Sequence, residues 1–336
     1  MKLHLPVALL TAVISAMSYG AEPAYIIDRT MGSEMQSGTY NDNDVIVDVT
    51  GGDFAKYHMG GDWTNRADYG AIQGASETDV MPHEHAPALI PVYGDIYLNV
   101  SGGENISWLI GEGIPTPVKV TGDKYINVTG GDIDYIVGGV HYRNGSNGFT
   151  GVGNTTTVLD AKGDPGTAEW AHKDASNPDI NISVTGGTVG QIRGGNNNKS
   201  DNVYNSLKYA LGQGTDLMTD KPWAVAGDVN ISVGGDAVVG DGKKAIAGAG
   251  GSGHSVDGKV TVNVSGGTIN GAIYGGSTNI YTEVGSTEVN ISGGTINGNV
   301  YGGGNYDDGA KKAADFGLDP AVGPKVKGNT EVVLSG

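Results

Sequence analysis

Apolar and polar residues alternate with a period of two over Val289-Asn290-Ile291-Ser292, and a Gly-Gly pair follows at once. That period predicts a strand with one buried face. Beyond the glycines stands a short run, Thr295-Ile296-Asn297, then Gly298, then a third run, Asn299-Val300-Tyr301, closed by Gly302-Gly303. The pattern predicts three short strands cornered by glycines, the content of one coil of a β-solenoid. Glycine suits the corners because it reaches positive φ without steric cost and lets neighbouring backbone approach closely.

Repetition gives the reading its weight. The first strand and its glycine pair recur at Val47–Gly52, Leu98–Gly103, Ile126–Gly131, Ile182–Gly187 and Val262–Gly267. A variant, Val229–Gly235, carries one extra residue, which predicts a bulge. The first glycines of these pairs, Gly51, Gly102, Gly130, Gly186, Gly234, Gly266 and Gly293, are the expected repeat-turn glycines. A second glycine position follows, at Gly60-Gly61, Gly111, Gly138-Gly139, Gly194-Gly195, Gly275-Gly276 and Gly302-Gly303. Successive first glycines lie 51, 28, 56, 48, 32 and 27 residues apart, so the basic coil holds 27 or 28 residues and 56 equals two of them. The excess is assigned to long loop insertions near 62–94, 140–178, 196–227 and 241–258, a segment such as Thr155 to Leu159 being open to reading as a degenerate coil. Loop closure costs only about 0.6 kcal/mol per doubling of length, so a solenoid tolerates such insertions.

In each first strand two apolar side chains point the same way. The inward ladder is expected to comprise Val47, Val49, Leu98, Val100, Ile126, Val128, Ile182, Val184, Val262, Val264, Val289 and Ile291. One coil cannot bury its own inward face, so neighbouring coils must stack on it. Between the ladder residues lie Asp48, Asn99, Asn127, Ser183, Asn263 and Asn290. Four of these form Asn-Xaa-Ser/Thr sequons, at Asn99, Asn127, Asn263 and Asn290, which a polar strand position before a turn-forming hydroxyl residue generates by itself.

Composition narrows the function classes. The chain has 336 residues, 59 of them glycine, without the three-residue period of collagen. With 20 basic and 37 acidic residues the net charge is −17, and no Lys/Arg run exceeds two residues, so nucleic acid is not an expected partner. Cysteine is absent, which excludes disulfides and thiolate metal sites. Residues 1–20 read as a signal peptide: Lys2, an apolar run from Leu5 to Ile14, and small residues at Ser18 and Gly20 before the cleavage point. Residues 21–44 are a lead-in or cap, in which Ala24-Tyr25-Ile26-Ile27 is a candidate capping strand, and 45–336 hold the repeats. Residues 330–336 open a further coil, so the solenoid is expected to be incomplete at its C-terminus.

The signal sequence, the lack of cysteine, the acidic charge and above all the Asn-Val/Ile-Ser-Gly-Gly-Thr-Ile-Asn-Gly units at 263–271 and 290–298 resemble the passenger domain of a bacterial autotransporter. The resemblance covers about 45–303. It implies an all-β fold, a single-stranded right-handed parallel β-helix, exported and displayed at the bacterial cell surface or outer membrane. It also implies an adhesin-like or structural role without catalysis, and partners among host or neighbouring-cell glycans or proteins. That family ends in an outer-membrane β-barrel, which has no counterpart in this sequence and is expected in a missing C-terminal part.

Candidate chemistry is sparse. Parallel β-helices also host polysaccharide lyases and glycoside hydrolases, and this is the alternative reading; its nearest carboxylate pair is Asp307-Asp308. Gly251-Ser252-Gly253-His254 lacks a paired aspartate, no serine-protease nucleophile turn is present, and His83-Glu84-His85 lacks a third ligand nearby. No catalytic residue, metal site or cofactor is therefore expected. A binding surface is expected in the insertions, around Trp63, Trp108, Trp170 and Trp223, although the favoured reading of these tryptophans themselves is as small cores that anchor the loops.

Overall fold

The computed structural model describes residues 24–28, 45–53, 71–73, 95–111, 122–139, 141–142, 178–198, 224–250, 255–278, 280–305 and 322–335, with Ala314, Gly317 and Asp319. The regular structure of these residues is almost entirely strand, joined in one 18-stranded sheet and a separate two-stranded pair. Nearly every pairing is parallel, an arrangement consistent with a β-solenoid.

The alternating segments form the first strand of each coil: β2 (Val45–Asp53), β4 (Ile96–Glu104), β6 (Lys124–Val128), β9 (Ile180–Val184), β12 (Val229–Val233), β15 (Val256–Ile269), β17 (Glu283–Ile296) and β20 (Thr330–Leu334). They pair in that order, in parallel, with Asp48, Asn99, Asn127, Ser183, Ser232, Asn263 and Asn290 in one register. Val289 and Ile291 then meet Val332 and Leu334 of β20. At the other end β1 (Ala24–Asp28) runs antiparallel to β2.

Direct hydrogen bonding from β6 to β9 settles the long spacing: the 56 residues between Asp123 and Asp179 make one coil carrying an insertion, with no second coil between. The third strands form their own ladder through β3 (Ala71–Gln73), β5 (Ile106–Ile110), β7 (Asp132–Val137), β10 (Thr188–Arg193), β14 (Lys244–Ala247), β16 (Ala272–Tyr274) and β18 (Val300–Tyr301). Thus β3 and β14 lie inside stretches assigned to insertions from the sequence. The proposed insertion 241–258 contains a whole third strand, because Ile246 and its flanking alanines continue the column of Ile192 and Ile273. Residues 155–159 lie outside the described set.

The variant repeat also resolves differently. Val229, Ile231 and Val233 pair residue for residue with Ile180, Ile182 and Val184, so the strand has no bulge. The extra residue sits in the turn: four residues separate Val233 from Val238, where three separate Val184 from Thr188. Gly234 consequently occupies the position of Thr185 and Ser265. The register spacing around this coil is 49 and then 31 residues, rather than the 48 and 32 counted between glycines.

All the inward ladder residues except Ile291 are buried, and Ile291 is half-buried against them. The strands add a third inward position, one alternation earlier, occupied by Ile96, Lys124, Ile180, Val229, Val260 and Thr287. Lys124 is 2% exposed in this otherwise mostly aliphatic column. A coil such as β9–β10 buries Ile180, Ile182, Val184, Val189 and Ile192. That contributes on the order of 10 kcal/mol, against about 1 kcal/mol for one cross-coil side-chain hydrogen bond, so aliphatic stacking is the dominant favourable term.

The two glycines of each corner have different physical reasons. The second of the pair takes positive φ, 99° at Gly131 and 85° at Gly294. The first is needed for close approach at Gly102, Gly130, Gly186 and Gly293: a Cβ on Gly130 would lie 2.5 Å from the Ser101 carbonyl oxygen. The glycine pair does not always end the strand, since β4, β15 and β17 run through it with a shift in register.

Candidate functional site

Two sets of outward side chains are stacked by the coils. The first lies on the first-strand face. Asn99 Nδ2 donates to Asp48 Oδ1 at 2.8 Å, Asn127 to Asn99 at 2.9 Å, Asn230 to Asn181 at 3.1 Å and Asn290 to Asn263 at 3.0 Å. Parallel, in-register stacking places like on like, so each amide donates to the one a coil earlier. The sequon asparagines belong to these ladders, with Asn290 also donating to Glu288 Oε1 at 2.7 Å. Glu288 in turn is held below the usual carboxylate range by its bond with Lys259 and that amide.

Immediately before the first strands stands a row of aspartates. Asp95 Oδ1 accepts the Asp123 N–H at 2.8 Å, Asp123 accepts that of Asp179 at 2.8 Å, Asp179 that of Asp228 at 2.7 Å, and Asp228 that of Lys259 at 2.7 Å. The Tyr97 and Tyr125 hydroxyls donate to Asp95 and Asp123 Oδ2, each at 3.2 Å, and their rings stack with centroids 4.9 Å apart. Burial pushes the Asp179 carboxyl above its ordinary value; the Asp228 N–H pulls it down, while the charges of Asp123 and Asp228 raise it further. Tyr125 is raised by burial and by Asp123. Sequence reasoning missed this row, though its signal is visible: Asp95, Asp123, Asp179 and Asp228 each stand directly before the first residue of a strand.

The second set lies on the third-strand face. Leu109, Ile136, Ile192, Ile246 and Ile273 point into the core, and alternation turns Trp108, Tyr135 and Gln191, then Ile110, Val137, Arg193, Ala247, Tyr274 and Tyr301, to the other side. Trp108 is in β5 rather than in an insertion. It is only 2% exposed and stacks on Tyr135 with centroids 4.4 Å apart, forming a small second cluster with Ile110 and Val137. Tyr274 and Tyr301 stack at 5.0 Å, and Tyr301 is 42% exposed. In the middle of the face Arg193 Nε donates to Gln191 Oε1 at 3.0 Å and Nη1 donates to Asn197 Oδ1. Burial lowers the Arg193 guanidinium pKa, offset in part by Tyr135.

No group of three or more His, Asp or Glu side chains is arranged to hold a metal among the described residues. His83-Glu84-His85, Asp307-Asp308, Gly251 to His254, Gly60-Gly61, Trp63, Trp170 and Trp223 lie outside them, as do residues 1–20. The ladder residues are brought into columns, and the repeat-turn glycines lie at the corners with Gly234 displaced to the position of Thr185, whereas the four tryptophans expected around the insertions yield a single described member, and it is buried.

No family model matches the chain, and neither a curated protein nor a solved structure matches it.

Proposed function

We propose that the chain is the passenger of an autotransporter-type protein, a right-handed parallel β-helix with a structural or adhesive role and no catalysis. The observation that carries this is the unbroken parallel register from Val47 through Asn263 and Asn290 to Val332, in which successive stretches of chain stack their like side chains. Such a scaffold offers a long, regular surface on which loops of any length can be mounted. The leader-like pattern of residues 1–20 supports export, and the absence of cysteine suits a chain that crosses membranes unfolded. An outer-membrane β-barrel in a longer protein and surface glycans or proteins of other cells are the partners this reading implies.

The test is expression in a Gram-negative host, followed by fractionation and adhesion assays with the recovered protein. Cleavage after Gly20, recovery outside the cytoplasm and attachment to cells or immobilised glycans are expected. Retention of the uncleaved chain in the cytoplasm overturns the export reading. Release of new reducing or unsaturated ends from a panel of polysaccharides overturns the non-catalytic one in favour of a carbohydrate-active enzyme.

A further inference from the structure

Arg193 is the charged group in the middle of the third-strand face. It is half-buried on β10, and its neighbours in the same column are Val137 one coil before and Ala247 one coil after. Its two hydrogen-bond partners are neutral amides, and among the described residues no carboxylate is paired with it. A guanidinium taken part-way out of water ordinarily has a carboxylate beside it, because the desolvation is otherwise uncompensated. The chain holds 37 acidic residues, so carboxylates are not scarce.

The fork is also held in place. Gln191 Oε1 accepts from Nε while Gln191 Nε2 donates to the Lys244 carbonyl at 3.3 Å, so that side chain is anchored at both ends. Asn197, on β11 (Asn197–Asn198), fixes Nη1 from the other side. Of five guanidinium N–H groups two are used, which leaves the second on Nη1 and both on Nη2. Those two nitrogens form the edge that takes an oxyanion through two parallel hydrogen bonds, and prior immobilisation reduces the entropy lost on binding.

We infer that Arg193 anchors a binding site for an acidic glycan, its Nη1–Nη2 edge taking a carboxylate or sulfate ester of the sugar. This rests on the adhesive reading above and names the ligand class for it. Gln191 and Asn197 are positioning residues in the site. An oxyanion there supplies the counter-charge that the described side chains do not.

Titration calorimetry on the purified chain tests it with three probes of equal length: an oligogalacturonate, a sulfated neutral-sugar oligosaccharide and its unsulfated parent. At least one acidic probe is expected to bind and the unsulfated parent not to; which acidic probe binds tells carboxylate from sulfate. Arg193→Gln is expected to raise Kd at least tenfold without lowering Tm, and Arg193→Lys, which keeps the charge and loses the fork, to fall between. A structural role would show the opposite, a lower Tm with unchanged binding, and would overturn the inference. No binding by either acidic probe, or equal binding by R193Q, also overturns it. Adhesion of wild type and R193Q to the same degree removes this site while leaving the adhesive reading; adhesion by neither removes both.

Discussion

Val264 lies between Val233 and Ile291 in an aliphatic column and is fully buried, so a carboxylate placed there has neither water nor partner. Val264→Asp is expected to cost roughly 3–5 kcal/mol, read as a lower Tm and faster proteolysis. The glycines give a sharper contrast. A Cβ on Gly138 would meet the Gly194 carbonyl oxygen at 1.9 Å, whereas one on Gly51 meets nothing within 4 Å. Gly138→Ala should therefore destabilise by about 1–3 kcal/mol, and Gly51→Ala by no more than about 0.5 kcal/mol in either direction, in denaturant titrations. At Asp179 the expectation concerns pH. Its carboxyl holds its proton to higher pH in the folded chain than in the unfolded one, so folding loses stability as pH rises above the ordinary aspartate range. Asp179→Asn keeps an acceptor for the Asp228 N–H and removes the repulsion; Tm should rise at pH 7 and the gain should vanish by about pH 3. A Tm difference independent of pH would refute this. Lys259–Glu288 runs the other way, its contribution being lost as acid protonates Glu288.

Among the elements, the first strands were the most legible in the sequence. In Val262-Asn263-Val264 the period of two assigns a face to each residue, and both valines are buried while Asn263 is half-buried. β14 was not legible, because Lys244-Ala245-Ile246-Ala247 follows Asp241 and Lys243 among glycines and offers a single large aliphatic. Lys124 shows the same limit: its own chemistry argues for solvent, and only the register beside Ile96 and Ile180 turns it inward. At Trp108 the expectation of a loop position failed for a related reason, since aromatic character does not distinguish a loop anchor from a strand residue. The aspartates leave a local trace, each standing directly before a strand, but which N–H each carboxylate accepts depends on contacts between coils dozens of residues apart. Because β6 pairs directly with β9, replacing residues 146–172 by a short Gly-Ser link should preserve the strand signal in circular dichroism and shift Tm by only a few degrees. Loss of the cooperative transition would mean that this stretch carries part of the sheet.

For the whole molecule, charge and shape act together. A net charge of −17 repels itself in any compact state, and the described aspartates are aligned in a row rather than dispersed. Raising ionic strength from about 20 to about 200 mM shortens the Debye length from roughly 20 to 7 Å, so Tm should rise over that range. A fall in Tm would mean that attractive pairs such as Lys259–Glu288 outweigh the repulsion.

Gly111, Gly138, Gly194, Gly248, Gly275 and Gly302 follow one another along the molecule, each of the first five leaving no space for a methyl group against the carbonyl of the next. Where these glycines meet, the rise from coil to coil is fixed by contact between backbones and is indifferent to what the chain does elsewhere in the turn. The coils themselves vary between 27 and 56 residues without disturbing that rise. Substitutions and length changes at the periphery can accumulate under selection for new attachments while the axial spine stays silent to them, so descendants of such a chain would diverge in what they hold long before they diverged in shape.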